Sequence, residues 1–87
     1  MQLIERSREA LALWKTLMPE LQEPNERQFV LWVRRFSDAH IEHAFWRTSN
    51  KFHGRAAEPE TVHRYVTGLL LNLERGTNGS TAVGGQQ

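Results

Sequence analysis

His40 and His43 stand three residues apart, a spacing that brings two imidazoles to one side of a helix, where they can share a divalent metal ion. His53 or His63 would have to complete such a site. Zinc motifs usually combine longer-separated pairs with defined further ligands, and nothing here specifies a third. The chain has no cysteine, so thiolate zinc sites, disulfides and thiol nucleophiles are all ruled out. Serines and carboxylates are present, but no nucleophile-elbow or glycine-rich phosphate-loop pattern accompanies them. A domain this short has little room for a water-excluding cleft. The expectation is a non-enzyme with no metal, no cofactor and no small-molecule substrate.

A second constellation suits recognition. His43, Trp46, Arg47 and Asn50 recur at spacings of three, four and seven, so a helix carries them on one stripe. Arginine serves phosphate or guanine, asparagine serves adenine, and an indole offers a stacking plane. Tryptophan and arginine are also enriched where protein interfaces concentrate their binding energy. Between residues 34 and 55 lie Arg34, Arg35, Arg47, Lys51 and Arg55 against only Asp38 and Glu42. Net charge over the whole chain is +1, so this is a local basic stretch on a nearly neutral protein. With Arg64 added, the candidate nucleic-acid-binding set is Arg34, Arg35, His43, Trp46, Arg47, Asn50, Lys51, Arg55 and Arg64. The same charges would equally make a solvated helix face, and Trp46 would alternatively tuck against the first helix or the tail. A separate outward surface, with Gly68 and Leu71, combines with Trp46 as a candidate seam for a protein partner or a second copy.

These residues need helices to position them, and the apolar spacing is helical throughout, with no strand-like alternation. Leu3, Ala10, Leu11, Trp14, Leu17, Met18 and Leu21 mark a first helix, which Pro19 ends or kinks near Met18. Asn25 caps a second helix, with Gln28 in capping-box position and Phe29, Trp32, Val33 and Phe36 facing inward. Ser37 and Asp38 offer caps for a third, whose inward arc is Ile41, Ala44, Phe45, Thr48 and Phe52. Residues 53–57 read as a loop, and Pro59 opens a fourth helix, with Val62, Tyr65, Val66, Leu69, Leu70 and Leu73 toward the core. Gly76 is a natural stop. From Gly76 onward the composition is too polar and small to order itself. The expected fold is therefore all-α: a compact bundle of four helices over residues 1–75 with a disordered C-terminal tail over 76–87. The short turn between the second and third helices is also what helix-turn-helix DNA readers use, although the candidate contacts here lie mid-helix.

The apolar share is 39% and the charged share 24%, as in an ordinary globular chain. No window approaches the roughly 18 apolar residues of a spanning helix, and the charged start lacks a signal peptide's apolar run. A cytoplasmic protein that does not enter the membrane is expected.

Along the fourth helix, Tyr65-Val66-Thr67-Gly68-Leu69-Leu70-Leu71-Asn72-Leu73, preceded by Ile41, Ala44 and Thr48, resembles the helical C-terminal module of DnaD-like replication-initiation proteins. The resemblance covers about a third of the chain. Leu73 stands where that family frequently has tryptophan, and Leu69 where isoleucine is usual. Tyr65, Leu69 and Leu73 are the matching motif positions. The resemblance implies a primosome-type accessory that binds DNA and other replication proteins. The resulting expectation is a nucleic-acid-associated helical module serving replication or a mobile element. The other reading is a protein-interaction or homodimerisation module that touches no nucleic acid.

Overall fold

The computed structural model describes residues 2–83, with side chains for residues 3–76. Four helices follow in order: α1 (Gln2–Leu17), α2 (Glu26–Arg35), α3 (Asp38–Phe52) and α4 (Pro59–Val83). No strand occurs among the described residues.

Local chemistry sets nearly every boundary. Proline disfavours helical geometry in the residue before it and cannot donate a backbone hydrogen bond. Accordingly α1 ends just ahead of Met18-Pro19, and the Leu21 amide turns back to the Met18 carbonyl at 3.0 Å. That turn brings the Leu21 carbonyl under Trp14, whose indole Nε1 donates to it at 3.2 Å. Asn25 caps α2, its side chain accepting from the Gln28 amide at 2.9 Å. Phe36 and Ser37 are both extended, and Ser37 caps α3 by accepting from the His40 amide at 3.2 Å. Each such cap stabilises its helix by ~1 kcal/mol. Arg6 of α1 clamps this corner, donating to Asp38 Oδ1 at 2.8 Å and to the Phe36 carbonyl at 2.9 Å. Gly54 then ends α3 in the left-handed conformation, at φ 71°, which a residue with a Cβ rarely adopts.

The inward stripes converge on one aromatic cluster. Trp14 is fully buried. Its ring stacks on Trp32 at 6.3 Å and meets the edges of Phe29 at 6.2 Å, Phe45 at 5.2 Å and His63 at 5.7 Å. Around it close Met18, Val33, Ile41, Ala44, Val62, Val66 and Leu70, all buried. Tyr65, Leu69 and Leu73 are half-buried at the margin of this core. Buried hydroxyls find partners within their own helices: Thr48 donates to the Ala44 carbonyl at 2.7 Å and Ser7 to the Ile4 carbonyl at 2.9 Å. No buried side-chain polar atom among the described residues lacks a partner, as a well-satisfied interior requires.

One expected boundary is displaced. Gly76 does not stop α4, whose backbone stays helical to Val83. A glycine stop works by taking up positive φ, and among the described residues only Gly54 does so. Of the tail expected over 76–87, the side chains from 77 and the whole of 84–87 lie outside the described residues. No helix among the described residues is long and apolar enough to cross a membrane.

Candidate nucleic-acid interface

The α3 helix turns Ile41, Ala44, Phe45, Thr48 and Phe52 into the core, so the opposite arc faces outward. Ala39, Glu42, His43, Trp46, Arg47 and Asn50 line a shallow, open depression there. Trp46 is 53% exposed, and the depression it lines is formed by α3 residues alone. The tail, its other expected cover besides α1, lies outside the residues whose side chains are described. With the burial of the neighbouring Phe45 and Thr48, the exposure of Trp46 fixes the rotation of α3 about its axis.

The margins of this face are pinned. Along one edge Ser49 Oγ donates to the Leu17 carbonyl of α1 at 3.1 Å. Along the other, Lys51 Nζ lies 5.3 Å from the Tyr65 ring centroid of α4 and 5.9 Å from that of Phe52. Phe52 itself meets Tyr65 edge-on at 5.5 Å. Arg47 and Lys51 stand one turn apart, about 6 Å along the helix axis, and Arg55 follows in the loop after α3. Arg47 and Arg55 form no ion pair with any described residue. Of the two carboxylates in this stretch, Asp38 is held by Arg6 at 2.8 Å, whereas Glu42 remains at the N-terminal end of the depression. The exposed charge of α3 is therefore cationic toward its C-terminal end, where the helix dipole also favours cations.

The structure divides the remaining candidates. Arg34 and Arg35 lie away from this face, in a groove between α2 and α4 lined by Gln28, Leu31, Trp32, Phe36, Thr67 and Leu71. Arg35 is engaged with Glu74 at 3.1 Å and lies over the Phe36 ring at 5.3 Å. Arg64 pairs with Glu60 one turn earlier at 3.4 Å, an exposed pair of small energetic worth. The expected seam also separates: Trp46 lines the α3 depression and Leu71 the α2–α4 groove, with no lining residue in common. Leu71 and Trp46 are not parts of one surface. Gly68 lies one turn before Leu71, and a Cβ built on it would meet nothing within 4 Å.

Leu31 is the residue that sequence reasoning missed. It is 50% exposed in the groove with Leu71, and its signal was visible as an apolar residue outside the inward stripe of α2. His40 is half-buried and His43 exposed, and no group of three potential metal-ligating side chains gathers among the described residues. Compared with protein-family models, with curated proteins and with solved structures, the chain matches none.

Proposed function

We propose that the chain is a non-enzymatic, nucleic-acid-associated helical module, an accessory to replication or to a mobile element. One observation carries this reading: Trp46 stands half-exposed between His43, Arg47 and Asn50, with Lys51 near the C-terminal end of the same helix and Arg55 in the loop beyond it. An exposed indole beside unpaired cations suits a ligand that presents both aromatic rings and phosphates. The likeness of residues 65–73 to DnaD-like modules points the same way. Arg34 and Arg35 lie off this face and Arg64 is engaged with Glu60, so these three contribute only diffuse attraction.

Salt is the test. Three phosphate contacts from Arg47, Lys51 and Arg55 give a slope of about −2 in log affinity against log salt for a single strand. Fluorescence anisotropy of a labelled oligonucleotide titrated with the full chain measures it. Flat salt dependence, or no binding at low ionic strength, removes the reading.

The α2–α4 groove favours a second reading, self-association through Leu31, Gly68 and Leu71. An exposed leucine faces a half-buried one across the groove, and the bare Gly68 lets another backbone approach. Light scattering on a concentration series should then detect a dimer that Leu71→Glu dissolves. A monomer at every concentration ends this alternative.

A further inference from the structure

We propose that the strand accepted by the α3 face is unpaired: a base stacks on the Trp46 indole while the sugar-phosphate chain follows Arg47, Lys51 and Arg55. This rests on the nucleic-acid reading above and goes beyond it by choosing between single strands and duplexes.

The first argument is the packing of α3. A helix that reads duplex DNA enters the major groove, about 12 Å wide, and with side chains a helix is itself about 10–12 Å across. It must therefore project from its domain. Here α3 is flanked by both α1 and α4. Ser49 holds one margin of the exposed face to the α1 carbonyl of Leu17, and Lys51 leans over Tyr65 of α4 along the other. The outward arc is bounded by its neighbours along both margins.

The helix end that groove readers use for base contacts is its N-terminus. At that end of α3, Ser37 is committed to the His40 amide, and Arg6 of α1 bonds both Asp38 and the Phe36 carbonyl. Glu42 faces outward near this end, and Asp38, although paired with Arg6, is also largely exposed. Phosphates are disfavoured beside these carboxylates, and the cations lie at the opposite end.

The nature of the central residue supplies the last argument. In a duplex the faces of the bases are covered by their neighbours, so an indole plane has little to stack upon. An unpaired base offers its face freely, and stacking of this kind tolerates any base. Trp46 occupies the middle of the outward arc, with His43 and Asn50 about one turn to either side to bond base or sugar edges.

The experiment compares one oligonucleotide as a single strand and as its blunt duplex, each titrated with the full chain and followed by anisotropy and tryptophan emission. The single strand should bind at least tenfold more tightly and quench emission. Trp46→Ala should weaken single-strand binding by about 10- to 100-fold, and Trp46→Phe should retain part of the affinity. Circular dichroism should be unchanged in both variants, because the replaced ring lies outside the core. Emission from the buried Trp14 and Trp32 supplies the background and is read in Trp46→Phe. Equal or tighter duplex binding, or full affinity in Trp46→Ala, overturns the single-strand proposal and leaves nucleic-acid binding standing. Failure of both forms to bind overturns the nucleic-acid reading as well.

Discussion

Replacing Trp14 with alanine should leave the protein largely unfolded at room temperature. The ring is fully buried and touches Phe29, Trp32, Phe45 and His63, so it joins all four helices through one side chain. Truncating a buried tryptophan typically costs about 3–5 kcal/mol through lost apolar burial and the cavity left behind. Trp14→Ala also removes the donor that satisfies the Leu21 carbonyl, at a further ~1 kcal/mol. A domain this small has only about 5 kcal/mol in hand, so the loss is comparable with the whole. Far-ultraviolet circular dichroism should show most of the helical signal gone and no cooperative melt. A variant melting within ~5 °C of the parent would mean that the aromatic cluster does not hold the helices together. Trp46→Ala provides the contrast: the same substitution at a half-exposed ring should alter stability by less than ~0.5 kcal/mol.

The second large effect concerns charge. Neutralising Arg47, Lys51 and Arg55 together as glutamines should weaken nucleic-acid binding by about 100-fold at ~0.1 M salt and bring the salt slope close to zero, since each lost phosphate contact removes one released counterion. Glutamine is preferred to glutamate because a carboxylate near the C-terminal end of α3 would oppose the helix dipole. Losing the contact of Lys51 with the Tyr65 ring costs roughly 0.5–1 kcal/mol, which the fold should tolerate. The informative control replaces Arg34, Arg35 and Arg64, which belong to other surfaces or are engaged with Glu74 and Glu60. The same number of charges removed there should change affinity by less than about fivefold, because only diffuse attraction is lost. Equal losses in the two triple variants would show that binding follows total charge and not the α3 face.

Chain-local chemistry determined the helices. Pro19, Asn25, Ser37 and Pro59 act on backbone groups within a turn of themselves, so their effects could be read without knowing what packs where. The inward arc of α3 was legible for a related reason: a helix advances about 100° per residue, and five apolar or small positions on one side leave Trp46 on the other. Gly76 shows the limit of that logic, since composition supplied a stop and the backbone did not take the left-handed turn that would have made it one.

What only the tertiary structure decided was which cations remain available and which surfaces are continuous. Arg6 reaches Asp38 across 32 residues and Arg35 reaches Glu74 across 39, and no spacing along the chain announces either pairing. The groove holding Leu31 and Leu71 exists because α2 and α4 approach without closing on each other, and the bounded face around Trp46 because α1 and α4 flank α3. Helix ends and faces follow from interactions over a few residues, whereas pairing and surface continuity depend on how whole helices pack.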